Sequence, residues 1–150
     1  MSFFNALNTS ASGMSAQRIR MDVLAMNVAN VETTRTPEGG PYMRRAVIFE
    51  EMRPSSFNAI LANAMGQTPP SGVGNGVRVR EIFTDETPGP MVYDPGHPDA
   101  NEEGYVLRPN VNMVMEMVNM ISASRSYEAN VTAWGVTQTM IQRTFELSQR

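Results

Sequence analysis

The chain of 150 residues is 41% apolar, with a formal net charge of −3 and a pI near 5.2. This composition suits one modest domain and gives no general attraction to nucleic acid or to an anionic membrane. The absence of cysteine excludes thiol chemistry and cysteine-ligated zinc, and no apolar run approaches the roughly 18 residues of a membrane span. Because the first basic residue is Arg18, we expect no cleaved secretory signal peptide.

The prolines divide the chain into three parts. All ten lie between Pro37 and Pro109, so both ends are long and free of proline. Proline inside a helix costs about 3 kcal/mol, and its absence here favours two terminal helices. The sequence therefore predicts a mainly α fold with a proline- and glycine-rich insert. The predicted segments are an N-terminal assembly helix within residues 1–33, a β-rich outer insert at 34–110 and a C-terminal assembly helix at 111–150.

The first helix is predicted over residues 3–31. Apolar residues recur at spacings of three and four in two successive seams, which is the pattern of a helix that packs against other helices. Several polar residues and Gly13 make it a weak helix in isolation, because most helical stability comes from packing. The seams consist of Phe4, Leu7, Ala11 and Met14, followed by Ala16, Ile19, Val23 and Met26.

The middle of the chain is predicted to be a small β-rich lobe with long turns. Alternating residues and β-branched side chains indicate strands over residues 42–50, 76–83, 91–93 and 105–107. Residues 54–76 include the loop sequence QTPPSGVGNG, and a short helix is compatible with residues 57–65.

The second helix is predicted over residues 112–147. Asn110 or Asn112 is the expected N-cap, and Asn112 would place Glu116 in the first turn. A helix of this length spans about 55 Å, which is too long for the core of a small globule, so it needs a partner helix. Eight of the ten residues in its heptad seam are apolar: Met113, Met117, Met120, Tyr127, Val131, Trp134, Ile141 and Phe145.

The sequence supplies little for catalysis or for metal binding. His97 is the single histidine and lies in a turn sequence, and no nucleophile elbow is present. Asp99, Asn101 and Glu103 resemble the opening of a calcium loop, but Asn110 stands where that loop requires a glutamate. We therefore predict no catalytic residue, no metal site and no cofactor.

Asn27 and Asn30 lie three residues apart, on one face at the end of the first helix. Buried amides at these positions would hydrogen-bond a neighbouring backbone and fix the register of a helix contact. Alternatively, Asn30 ends the helix in the left-handed conformation, and spacing alone favours this second interpretation.

Three blocks of sequence resemble the bacterial flagellar rod and hook protein family, and most specifically its proximal-rod members. The first is AMNVANVET at residues 25–33, which is similar to the N-terminal signature shared across the family. The second lies at residues 92–106, and the third joins PNVN at 109–112 to EMV at 116–118 and SASRSYEANV at 122–131. The resemblance weakens over residues 55–76.

The resemblance implies a structural subunit without enzymatic activity. Family members pack their terminal helices into a coiled-coil layer around a hollow rod, which crosses the periplasm and transmits torque. The implied partners are copies of the same chain, other proximal and distal rod subunits, and the flagellar type III export apparatus, which exports members without a cleaved signal. Neither nucleic-acid binding nor membrane insertion is implied. The alternatives are another rod subunit of the family and a soluble coiled-coil adaptor.

The seams and the resemblance together predict the assembly interface. Because Asn27 and Asn30 fall within the family signature, the resemblance favours a packing role for both. Its residues are Phe4, Leu7, Met14, Ile19, Val23, Met26, Asn27, Asn30, Met113, Met117, Met120, Tyr127, Val131, Trp134, Ile141 and Phe145.

Overall fold

The computed structural model describes residues 3–52, 64–65 and 76–148. Two long helices occupy the ends of the chain, and four strands lie between them in sequence. In chain order the elements are helix α1 (Phe3–Ala29), strands β1 (Arg45–Glu51), β2 (Val77–Thr84), β3 (Met91–Tyr93) and β4 (Tyr105–Leu107), and helix α2 (Met113–Ser148). The predicted order of terminal helices around a small β region is confirmed.

Two boundaries differ from the sequence-based expectation by more than one residue. Helix α1 ends at Ala29 rather than near Val31, and β1 begins at Arg45 rather than at Tyr42. The later start of β1 has a physical cause: the Tyr42 N–H donates to the Thr33 carbonyl, and the Arg44 N–H donates to the Asn110 side chain. The short helix considered for residues 57–65 falls almost entirely outside the described residues.

The strands form two separate two-stranded sheets. Strand β1 pairs with β2, and β3 pairs with β4 in antiparallel register, with Met91 opposite Leu107 and Tyr93 opposite Tyr105. Near the start of β2, Gly76 adopts a φ of +119°, and a side chain there would collide with Ser12. Glycine avoids both penalties.

Asn112 begins α2 as its N-cap. Its Oδ1 accepts a hydrogen bond from the Met115 N–H at 3.1 Å, and its carbonyl accepts one from the Glu116 N–H at 3.0 Å. Of the two candidate caps, the structure thus selects Asn112, and Glu116 falls in the first turn as expected.

The chain forms two compact units, each with its own small core. The first unit contains Met1–Gln17, Phe49–Arg80 and Ser126–Arg150, and the second contains Arg18–Ile48 and Glu81–Arg125. Both units draw on all three predicted sequence segments, and the division into assembly helices and insert stays a prediction. Buried side chains include Ala16 in the first unit, and Val23, Leu24, Asn27, Val106, Glu116 and Ala123 in the second.

Candidate assembly site

Asn27 lies at the centre of a buried polar network in the second unit. It is fully buried near the end of α1. Its Nδ2 donates to the Arg45 carbonyl at 2.7 Å and to Glu116 Oε2 at 2.8 Å. Its Oδ1 accepts from the Tyr42 hydroxyl at 2.9 Å and from the Arg45 N–H at 3.0 Å. The amide thus makes all four hydrogen bonds available to it, which removes the penalty of burying it.

Glu116 is the acidic member of this network and is 1% exposed. Oε2 accepts the bond from Asn27, while Oε1 forms an ion pair with Nε of Arg44 at 2.8 Å. The first turn of a helix carries partial positive charge, which further favours a carboxylate at this position. A buried carboxylate is tolerated only when it is paired and hydrogen-bonded, and Glu116 meets both conditions.

Tyr42 joins the network through its hydroxyl. Burial raises the pKa of Tyr42 above its ordinary value of 10.0, the charge of Arg45 lowers it by a smaller amount, and Glu116 raises it further. The phenol is protonated at neutral pH and donates to Asn27 Oδ1, and the raised pKa extends this protonated state to more alkaline pH.

Asn110 extends the network to the chain just after β2. Its Oδ1 accepts from the Arg44 N–H at 2.7 Å, and its Nδ2 donates to the Asp85 carbonyl at 2.9 Å. The Asp85 N–H in turn donates to the Arg44 carbonyl at 2.8 Å. The end of α1, the entry to β1, the exit from β2 and the approach to α2 are therefore held by one set of hydrogen bonds.

Asn30 does not end α1 in the way that spacing favoured. No described residue other than glycine has a positive φ, so the expected left-handed cap at Asn30 is wrong. Instead, the Asn30 Nδ2 donates to the Met26 carbonyl at 2.9 Å, and its Oδ1 accepts from the Thr33 hydroxyl at 3.2 Å. The Met26 carbonyl also accepts from the Asn30 backbone N–H at 3.1 Å, so the Asn30 side chain adds a second hydrogen bond to the same acceptor at the helix end.

In the first unit, α1 and α2 approach closely at Gly13. A Cβ at this glycine would lie 2.7 Å from Asn130 Oδ1. The amide of Asn130 is anchored by a 2.8 Å hydrogen bond from its Nδ2 to the Ser126 carbonyl. In the residue just before Gly13, the Ser12 hydroxyl accepts from the Val77 N–H at 3.1 Å, which ties α1 to the start of β2. Absence of a side chain at Gly13 is therefore what permits this helix contact.

The residues predicted for the interface divide into three groups by exposure. Val23 and Asn27 are buried within the subunit. The half-buried group is Leu7, Met14, Ile19, Asn30, Met120, Tyr127 and Ile141. The exposed group is Phe4, Met26, Met113, Met117, Val131, Trp134 and Phe145.

Sequence reasoning missed most of the polar network. Tyr42 was assigned to a strand, Arg44 received no role, and Glu116 was recognised only as a residue of the first turn. The available signal was a single carboxylate in the apolar run from Met113 to Val118, because a charge there needs a buried partner.

The turn that resembles a calcium loop is occupied by internal hydrogen bonds. Asp99 Oδ2 accepts from the Thr34 hydroxyl at 2.8 Å, and Asn101 Oδ1 accepts from two backbone N–H groups. Among the described residues, no group of three or more acidic or histidine side chains is placed to hold a metal ion. None of the described helices is long and apolar enough to cross a membrane.

Two family models match the helical ends of the chain. Residues 7–35 match the model described as flagella basal body rod protein, and residues 102–147 match that of the flagellar basal body rod FlgEFG protein C-terminal. Asn27 lies in the first match and Glu116 in the second, so the 2.8 Å hydrogen bond between them joins the two family regions.

Curated relatives match over nearly the whole chain, and each is a flagellar basal-body rod protein FlgC. The protein from Bacillus subtilis is 44% identical over 99% of this chain and 100% of its own length. That from Borreliella burgdorferi is 42% identical over 99% of both chains, and that from Aquifex aeolicus is 46% identical over 97% of both. Such identity along the full length shows that this chain belongs to the FlgC family of flagellar basal-body rod proteins.

Proposed function

We propose that this chain is a structural, non-enzymatic subunit of the proximal flagellar rod, and that it assembles with neighbouring subunits through the exposed faces of α1 and α2. In this role it helps to build a hollow shaft that crosses the periplasm and transmits torque. The observation that carries the proposal is the exposed apolar surface of α2: its large apolar side chains, such as Met113, Trp134 and Phe145, are exposed, while Glu116 and Ala123 are buried.

The exposed apolar residues continue along α2, whereas on α1 they lie near its two ends, at Phe3, Phe4 and Met26. Trp134 is 38% exposed, Val131 43% and Phe145 67%, all on the predicted seam of α2. Burial of apolar surface contributes about 25 cal/mol per Å², so a row of such side chains provides a substantial driving force for association. Their three-four spacing suits interdigitation with a helix from another subunit.

The buried network fixes the arrangement of the elements that take part in this assembly. A buried ion pair adds little net stability compared with an apolar replacement, but it fixes one arrangement of the groups that it joins. Asn27, Glu116 and Arg44 join α1, α2 and the entry to β1. A rod subunit under torque needs its helices held at a defined position relative to the β lobe, and this network meets that need.

The proposed partners are copies of this chain, other proximal and distal rod subunits, and the type III export apparatus, which would deliver the chain without a cleaved signal. Helices that depend on packing for stability remain flexible during export and become ordered when their apolar faces contact neighbouring subunits. We propose neither a nucleic-acid partner nor insertion into the membrane.

Charge insertion into the exposed seam tests the proposal. Trp134→Asp or Tyr127→Asp places a carboxylate in a contact that becomes desolvated on assembly, and we expect loss of the rod and of motility. The matched control is Gln142→Asp, an exposed position of α2 outside the seam. Swimming assays and electron microscopy of purified basal bodies provide the readout. Normal rods and normal swimming in both seam variants would refute the proposal.

A further inference from the structure

The hairpin formed by β3 and β4 presents an exposed apolar face. In its antiparallel register, residues directly opposite each other point to the same side, so Met91, Tyr93, Tyr105 and Leu107 share one face. Met91 is 69% exposed, Tyr93 64% and Tyr105 41%. Val106, on the other face, is buried. The hairpin therefore uses its small valine for the core of the second unit and leaves its two aromatic rings outside.

This face is held rigid within the subunit. The rings of Tyr93 and Tyr105 meet edge to face, with centroids 5.3 Å apart. Gly104 has a φ of +81°, and a Cβ there would lie 3.0 Å from the Tyr93 ring. Asn101 Oδ1 closes the turn by accepting from the Glu103 and Tyr105 N–H groups. A surface fixed in advance loses little conformational entropy when a partner binds it.

The charge within the hairpin and its turn is one-sided. Residues 91–107 contain four carboxylates and no arginine, and the exposed Arg108 follows directly after β4. Asp99 is engaged by Thr34 at 2.8 Å and by Arg35 at 3.8 Å, whereas Glu102 and Glu103 are exposed. Exposed carboxylates two and three residues before Tyr105 favour a guanidinium group as the partner, because it stacks on aromatic faces and pairs with carboxylates.

We propose that this hairpin face docks an arginine-bearing surface of a second copy of the chain. The proposal rests on the proposed function, in which several copies assemble. All twelve basic residues of the chain are arginines, and Arg18 and Arg80 are exposed without a carboxylate partner among the described residues. The two complementary surfaces are different patches of one chain, so the contact is heterologous and suits an open helical array.

Photo-crosslinking in motile cells tests the contact. We would replace Met91 with p-benzoylphenylalanine, irradiate, and analyse isolated basal bodies. The expected product is an adduct with twice the 16.6 kDa mass of the chain, in which peptide mapping places the second copy's attachment near an arginine. An adduct with a different protein, or irradiated rods that contain only monomer, would overturn the proposal.

Reversal of the hairpin charges provides a second test of the contact. Combined Glu102→Arg and Glu103→Arg substitutions should lower the adduct yield about tenfold, because like charges then face each other. The milder Glu102→Gln and Glu103→Gln pair should lower it about threefold, on the same scale, without placing new positive charge in the hairpin. The matched control is Glu38→Arg with Glu86→Arg, two exposed acidic positions of the same unit. An unchanged yield in both hairpin pairs would overturn the proposal.

Failure of this inference is distinguishable from failure of the proposed function. If only the hairpin contact is wrong, the chain is still found in basal bodies and Trp134→Asp still abolishes the rod. If the proposed function is wrong, the chain is absent from basal bodies whatever residue stands at position 91.

Discussion

The two long helices bury different kinds of side chain. Among the described residues, α2 buries the polar Glu116 and the small Ala123, whereas α1 buries Val23 and Leu24 as well as Gly13, Ala16 and Asn27. Outside, they present large apolar side chains, among them Phe4, Met113, Met117, Val131, Trp134, Phe145 and Leu147. A protein that is complete as a monomer usually buries most of its large apolar residues, and the proposed function assigns these exposed side chains to contacts with neighbouring subunits.

The polar contacts inside the subunit and the apolar side chains on its surface have different energetic roles. Polar contacts such as the Asn27 to Glu116 hydrogen bond have strict distance and angle requirements, so they fix how the helices meet. Apolar contacts are non-directional and supply most of the free energy of association. The internal polar contacts thus fix how the elements of a unit meet, and in the proposed function the exposed apolar side chains provide the attraction to partners.

The largest effect on the internal face is expected from Glu116→Ala. The change leaves Arg44 and one Nδ2 hydrogen of Asn27 without their acceptor, and breaking a buried pair costs about 3 kcal/mol. Thermal unfolding of the full chain, followed by circular dichroism, should show a much lower midpoint. The control is Glu86→Ala, an exposed carboxylate, and equal midpoints for the two variants would contradict the role assigned to the network.

Asn27→Ala should have the next largest effect. It leaves the Tyr42 hydroxyl, the Arg45 N–H and a Glu116 oxygen without a partner, at a cost of about 2 kcal/mol. Asn30→Ala is the matched control, because the Asn30 bonds are confined to the end of α1. We also expect Asn27→Ala to lower the yield of purified rods while leaving some assembly. Wild-type stability and rod yield would show that the buried amide is dispensable.

The two helical glycines should respond differently to alanine. Gly135 has open space around it, so Gly135→Ala should stabilise the chain by about 1 kcal/mol through helix propensity. At Gly13 the new Cβ would lie too close to Asn130, whose amide is already hydrogen-bonded. Gly13→Ala should therefore not stabilise the chain. Denaturant midpoints of the two single variants provide the comparison, and equal stabilisation by both would disprove the close approach.

The smallest effect concerns the pH dependence of Tyr42. Its pKa is raised in the folded chain, so the unfolded chain releases the phenol proton at a lower pH than the folded chain does. Stability from this group is therefore present below pH 10 and is lost as the pH rises through the folded pKa. Unfolding midpoints measured on either side of that value should fall less in Tyr42→Phe than in the exposed control Tyr93→Phe. An identical pH slope in both variants would exclude the contribution.

Much of the architecture could be predicted because it depends on local chemistry. Proline-free ends with three-four apolar spacing predicted both helices, and short β-branched runs predicted β3 and β4 to the residue. The N-cap of α2 followed from Asn112 and the first-turn carboxylate from Glu116. Each of these signals lies within a few residues of the structure that it predicts.

The partners of Asn27 could not be predicted in the same way. Glu116 is 89 residues away in sequence and Arg45 is 18 away, and no local pattern records such a pairing. The spacing of Asn27 and Asn30 suggested one shared role, yet Asn27 is buried in a network while Asn30 bonds its own helix end. Seam periodicity identified apolar positions but could not say which face of each helix the subunit would keep for itself.

By itself, therefore, the sequence determined the helices, the short strands, the absence of thiol chemistry and the family resemblance, because composition, periodicity and motifs act over short stretches of chain. Only the tertiary structure decided that Gly13 lies against Asn130, and that Glu116 pairs with Arg44 and Asn27. These contacts depend on which distant segments meet and on whether every buried polar atom is hydrogen-bonded there, and both are properties of the folded chain.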